Sequence, residues 1–170
     1  MQTAPGFHAV PHKLVVAKRL SQCLNPALPT GVHARALDVY THIFTVLGVD
    51  GLRRDLPVWT PGLLPFFAHA ATSVRPVVLD MYERFYVPLS DDLRPVTRAL
   101  LLSLLPGLEE ESGEYFDRVV ALLDRISASV TIPFFLQCIW IVLATSPAVR
   151  LSALNYLCLL YTSPSPRDRG

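Results

Sequence analysis

Phe116-Asp117-Arg118-Val119-Val120-Ala121-Leu122-Leu123-Asp124-Arg125-Ile126 decides the fold class. Apolar side chains recur at three- and four-residue intervals through Phe116, Val119, Val120, Leu123 and Ile126, while Glu114, Asp117, Asp124 and Arg125 fall between them. That spacing lays one apolar stripe along a helix and leaves charge on the other face. Working outward, Leu37, Tyr40, Phe44 and Leu47 repeat the pattern against Arg35, Asp38, Thr41 and Thr45. Val74, Val77, Val78, Met81 and Phe85 repeat it again. Two-residue alternation over a strand's length is hard to find, so the expected fold is all-α.

The punctuation agrees. Ser73 precedes Val74-Arg75-Pro76, Asp92 precedes Leu93-Arg94-Pro95, and Ser146 precedes Pro147. Each pair reads as a helix start, because proline in a first turn sacrifices only an N–H that has no helical partner. Gly48 and Gly107 read as stops. Helices are predicted over 12–24, 32–47, 61–70, 73–87, 92–105, 114–128, 132–145 and 147–157. Short helices joined by tight turns point to antiparallel stacking as an irregular armadillo- or HEAT-like α-solenoid segment, with a compact bundle as the alternative. The predicted core includes Leu37, Tyr40, Phe44, Leu79, Phe116, Leu123 and Trp140. Trp59, between Pro57 and Pro61, is placed in a connection.

Of the 170 residues 51% are hydrophobic and 17% charged, far from the disordered range. The net charge of +1 offers no basic field for phosphates, so no nucleic-acid partner is expected. The cysteines are Cys23, Cys138 and Cys158, without a short pairing, and Met1–Pro11 lacks the charged start and apolar run of a secretory signal. A reducing setting is expected, with Cys23 and Cys138 as small core residues. No charge lies between Arg125 and Arg150. The continuous apolar part, Ile132 to Ala144, makes about 20 Å of helix, too short for a hydrocarbon core of about 30 Å. It reads as a fully buried inner helix, and no transmembrane helix is expected.

Residues that carry chemistry are sparse. His8, His12, His33, His42 and His69 form no metal-binding spacing, and the glycines form no phosphate-cradling loop. Asp38 and His42 share a helix face without a Ser or Cys nucleophile elbow and read as a surface pair. Glu109-Glu110-Glu111 reads as a solvated turn, with docking of a basic partner as the sharper reading. His12, Lys13, Lys18 and Arg19 read as an exposed helix face, with a weak hold on acidic lipid as the alternative. No catalytic, cofactor-binding or metal-binding residue is predicted, no cofactor is expected, and the chain is not read as an enzyme. A second functional class, a helical lipid- or small-molecule-binding domain, would need residues 126–149 to line a cavity.

Longer motifs carry a family likeness. Lys18-Arg-Leu-Ser-Gln-Cys-Leu-Asn-Pro-Ala-Leu-Pro-Thr-Gly-Val-His33, Pro61-Gly-Leu-Leu-Pro-Phe-Phe-Ala-His-Ala70 and Tyr82-Glu-Arg-Phe-Tyr86-Val-Pro-Leu89 resemble the N-terminal domain of the Dopey family. So do Ala36-Leu-Asp-Val-Tyr40, Ser73-Val-Arg-Pro76, Leu104-Leu-Pro-Gly-Leu-Glu-Glu110 and Ala144-Thr-Ser-Pro147. The likeness covers about residues 11 to 157. It implies a non-catalytic scaffold module of a very large peripheral protein that serves transport between Golgi, trans-Golgi network and endosomes. It further implies location on the cytosolic face of those membranes, and as partners a Sec7-related Golgi scaffold and a phospholipid-flipping P-type ATPase.

Three segments follow from this reading: an N-terminal extension (1–10), a partial Dopey-like helical domain (11–157), and a non-native tail (158–170). Cys158-Leu-Leu-Tyr-Thr-Ser-Pro-Ser-Pro-Arg-Asp168 matches, residue for residue, one reading frame of a transposase-type sequencing adapter. The chain is accordingly expected to be a truncated piece. Cys158–Tyr161 are expected to prolong the last helix by a turn, with an extended tail beyond Thr162. An apolar surface is expected to lie bare near 147–157.

Overall fold

The computed structural model describes residues 9–109 and 113–162. Among these residues all regular structure is helical. The α-helices are α1 (Lys13–Cys23), α2 (Thr30–Arg54), α3 (Leu56–Leu63), α4 (Arg75–Met81), α5 (Thr97–Leu104), α6 (Phe116–Val130), α7 (Ile132–Thr145) and α8 (Arg150–Thr162). Tighter 3₁₀ turns extend several of them: Leu64–His69 continues α3, Leu105–Leu108 continues α5, and Pro147–Val149 leads into α8. Between α4 and α5 the chain first widens into a π-turn over Tyr82–Tyr86 and then tightens into 3₁₀ geometry over Val87–Val96.

Packing skips alternate helices. One layer runs from α1 to α3, through the turn after α3 to α5, and from α5 to α7. The other begins where α2 meets α4 and the segment Tyr82–Val96 and passes to α6 against Val87–Val96, while α8 packs on α7 and on the Leu105–Leu108 turn of the first layer. The layers join where α1 meets α2, where α5 meets α6, and where α7 meets α6 and α8. Between them lies one continuous core that includes Leu37, Tyr40, Phe44, Trp59, Tyr82, Leu101, Leu123 and Tyr156.

Five of the seven predicted core residues are fully buried: Leu37, Tyr40, Phe44, Leu79 and Leu123. Phe116 is only half-buried at the start of α6. Trp140 contradicts its assignment, with 56% of its surface exposed. The charge-free run was read as burial on all sides, whereas α7 buries one face through Phe135, Cys138, Ile139 and Val142 and bares the other. Trp59 departs in the opposite sense. It is 0% exposed, because α3 starts at Leu56, earlier than predicted, and carries it into the core.

Two boundaries also move. Gly48 does not end α2 but breaks it (φ 68, ψ −174), and helix resumes through Arg54. A positive φ of that kind suits glycine, which lacks the clashing Cβ. The predicted start near Asp92 is not a cap, since α5 begins only at Thr97 and the Asp92 carboxylate instead accepts a hydrogen bond from Arg53 Nε at 2.5 Å. Prolines sit in first turns as expected in α4 and α7, yet no side chain caps either helix.

No single helix among the described residues is long and apolar enough to cross a membrane. At the C-terminal end α8 continues through Thr162, so Cys158–Tyr161 extend the helix as expected. The apolar surface expected near 147–157 is bare, with Leu151 71% exposed and Leu154 also exposed. The extended tail predicted beyond Thr162 lies outside the described residues, as does most of the N-terminal extension.

Candidate interaction surfaces

The junction of α1, α2 and α3 holds a buried charge. Asp55 ends α2 and opens α3, and its side chain is only 1% exposed. A buried carboxylate needs partners, and it has Lys13 Nζ at 2.9 Å and Arg54 Nε at 3.1 Å. Burial alone would push its pKa up. The hydrogen bonds and charges of Arg54 and Lys13 outweigh that and hold the carboxyl below its ordinary value. Composition and periodicity gave no hint of this pair, because Lys13 and Asp55 are distant in sequence. One weak signal was available: an acidic residue directly before the apolar stretch Leu56-Pro57-Val58-Trp59.

Nearby, α1 and α3 approach so closely that only glycine fits. A Cβ on Gly62 would stand 2.7 Å from Ser21 Cβ and 3.2 Å from the Tyr40 hydroxyl. That hydroxyl and the Trp59 indole N–H are buried without a hydrogen-bond partner among the described residues. Burial pushes the Tyr40 hydroxyl's pKa well above the ordinary tyrosine value, and the nearby Cys23 adds to it.

Above this junction an open groove of about 690 Å³ runs between α1 and α3. Leu14, Lys18, Ser21, Gln22 and Asn25 form one wall, and Pro57, Pro61, Pro65 and Phe66 the other. The prolines repeat every four residues along one helix face. Pro61 and Pro65 have no N–H, so the carbonyls of Pro57 and Pro61 cannot receive the usual i+4 hydrogen bond. The groove therefore combines an apolar proline face with backbone acceptors and the Lys18, Gln22 and Asn25 side chains. This arrangement suits contact with another polypeptide. His69 also lines the groove, and the Ser21 hydroxyl is engaged by the Lys18 carbonyl, to which it donates at 2.7 Å.

A second cleft, of about 430 Å³, lies between the α3–α4 connection and the segment before α6. Arg75 lies over the Phe67 ring at 5.3 Å, and Thr72, Gly107, Glu114 and Tyr115 are among the other lining residues. Tyr115 donates to the Thr72 carbonyl at 3.0 Å, closing the cleft's base. Of the acidic run, Glu109 is exposed at this cleft; Glu110 and Glu111 lie outside the described residues.

Two buried tyrosines hold the middle of the stack. Tyr82 shares a hydrogen bond of 2.7 Å with Ser103, and Tyr86 one of 3.1 Å with Thr60. Burial raises both phenol pKa values far above normal, against the smaller opposing pull of those hydrogen bonds. These are structural contacts that bridge the layers. Arg118 ties α6 to Asp80 and to Glu83, the latter at 2.9 Å.

The sequence-predicted surface groups are scattered. Asp38 and His42 are both exposed on α2. The basic stretch is divided, since Lys13 turns to Asp55 while Lys18 faces the groove. Cys138 is buried, with its thiol pKa raised by burial against a smaller effect of Arg98, whereas Cys23 is only half-buried and Cys158 is exposed. Among the described residues no group of three or more His, Cys, Asp or Glu gathers as a metal set. Within residues 126–149 the inward side chains, Ile126, Val130, Phe135, Ile139 and Val142, are packed into the shared core.

Comparison with known proteins adds one consistent result. Residues 1–166 match a family model described as Dopey, N-terminal. The chain is 43% identical over 166 residues to Protein DOP1B of Mus musculus, covering 98% of this chain and 7% of that protein. It is 41% identical to Protein dop1 of Emericella nidulans, covering 90% of this chain and 9% of that protein. It is 33% identical to Protein DOP1 of Saccharomyces cerevisiae, covering 91% of this chain and 9% of that protein. The chain thus spans less than a tenth of the length of these relatives. No solved structure matches it.

Proposed function

Because the chain belongs to the Dopey family, we propose that it is a non-catalytic scaffold module of a peripheral membrane-traffic protein. Its work is transport between the Golgi or trans-Golgi network and endosomes, on the cytosolic face of those membranes. The observation that carries this reading is the family match across residues 1–166. The geometry is compatible with it in kind: helices packed on one shared core, an open groove, and bare apolar faces. Binding by such a module draws on a few anchors set in well-packed surroundings. The groove between α1 and α3 supplies such a setting, with Phe66 and the proline face as the apolar part and Lys18 and Gln22 at the rim. The partners proposed are a Sec7-related Golgi scaffold and a phospholipid-flipping P-type ATPase.

Affinity capture tests the reading. The full-length protein is compared with a form lacking residues 11–157. The intact form is expected to recover one of these two partners and the deleted form to lose it. Recovery of the same partners at the same level by both forms contradicts the assignment of docking to this region.

A further inference from the structure

We infer that the charge-free outer face of α7 and α8 is a docking face for the next pair of helices of the same polypeptide. This rests on family membership and not on the transport role. On α7 the exposed positions include Gln137, Trp140, Ile141 and Ala144, which fall on one side of the helix. On α8 Leu151 and Leu154 are exposed, at the three-residue spacing of a helix-packing seam.

The opposite side of α8 is apolar too, since Ala153, Tyr156 and Leu157 are buried in the core. A helix with apolar residues on opposite sides belongs between two neighbours, and among the described residues α8 has neighbours on one side only. No charged residue follows Arg150 within α8, and Arg150 itself donates to the Leu143 carbonyl at 2.8 Å, closing the end of α7. Single exposed apolar residues are ordinary on a surface, but apolar outer positions repeated on two successive helices mark a contact.

The choice of occupant follows from three observations. First, α3 packs on α1 and α7 packs on α5, so the next helix would sit on α7 and bring the one after it beside α8. Second, the matched region is the N-terminal one by its family description, and the relatives are more than ten times as long, so in them the polypeptide continues past it. Third, the face lacks the Lys and Arg that hold an interfacial helix on anionic lipid, and Gln137 lies within it.

Hydroxyl-radical footprinting read by mass spectrometry tests the inference. The 170-residue chain is compared with an extended form in which everything after Leu157 is replaced by the stretch that follows the matched region in mouse DOP1B. Trp140 is expected to oxidise readily in the chain and severalfold more slowly in the extended form, while the buried Trp59 stays protected in both. Equal oxidation of Trp140 in the two forms overturns the inference. So does protection already present in the unextended chain that grows with concentration as the mass doubles, which assigns the face to a second copy. Protection that needs anionic vesicles overturns it as well and assigns the face to a membrane. A second variant guards against a poor junction: Leu154→Glu should leave the melting temperature of the chain unchanged and lower that of the extended form. An equal effect in both overturns the proposal.

Discussion

Helices α6 and α8 are of similar length, 15 and 13 residues, and both feed the same core. On α6, Val119, Leu122, Leu123 and Ile126 are buried while Asp117 and Arg125 face outward. On α8 the outward positions are Leu151 and Leu154. The two helices teach that apolar content and burial are separate properties. A polar outer face says that a helix ends its layer at solvent. An apolar outer face says that a layer is unfinished, and from sequence alone the two sides of such a helix cannot be told apart.

The largest expected effects separate the buried side of this comparison from the bare one. Trp59→Ala and Leu123→Ala should each cost roughly 3–5 kcal/mol, as emptied core sites do. Trp140→Ala and Leu154→Ala should cost under about 1 kcal/mol. Urea unfolding midpoints at unchanged slope measure all four. A cost for Leu154→Ala as large as that for Leu123→Ala would break the comparison.

Next in size is the buried charge of the N-terminal end, which has no counterpart in α7 or α8. Asp55→Ala removes the shared partner of Lys13 and Arg54 and should cost about 1.5–3 kcal/mol at neutral pH, in the range of hydrogen bonds to charged groups. Its pH dependence has a definite sign. The folded-state pKa is lowered, so the contribution is present above the unfolded carboxylate value near 4 and is lost as pH falls through the folded value. Melting temperatures from pH 7 down to about 2 should therefore fall less steeply for Asp55→Ala than for the parent. Parallel curves would remove Asp55 as a source of acid sensitivity.

The smallest expected effect lies at the hinge between the two kinds of helix. Thr131, joining α6 to α7, has φ 78 and ψ 142, a region that suits glycine and strains a β-branched residue. Thr131→Gly should raise stability by roughly 1 kcal/mol, visible as a higher melting temperature. A loss would mean that the Thr131 side chain holds the hinge through contacts worth more than the strain.

Much of this architecture was legible in the sequence, for stated reasons. The stripes through Leu37–Phe44 and Val119–Ile126 were read correctly, because one neighbour was enough to explain them. Prolines in first turns marked α4 and α7. What escaped were features set by partners far along the chain. Asp92 was read as a cap because cap chemistry is local, but Arg53 claims its carboxylate across the fold. Trp59 was misplaced because flanking prolines signal a connection, whereas Pro57 lies in the first turn of α3, where its missing N–H costs little. The π-turn at Tyr82–Tyr86 has no composition signal; it sets Tyr86 against Thr60 and Tyr82 against Ser103. The α1–α3 groove was half visible as Pro57, Pro61 and Pro65 at helical spacing. Its other wall depends on how α1 packs.

The central claim is that α7 turns one apolar face to the core and an equally charge-free face to solvent, and the two tryptophans report on it directly. Acrylamide quenching of two single-tryptophan forms of the monomeric chain, Trp59→Phe and Trp140→Phe, isolates each indole. The account predicts that Trp140 emits at longer wavelength and is quenched readily, while Trp59 emits at shorter wavelength and resists. Equal shielding of both would contradict it, because the outer face of α7 would then already be covered within this chain.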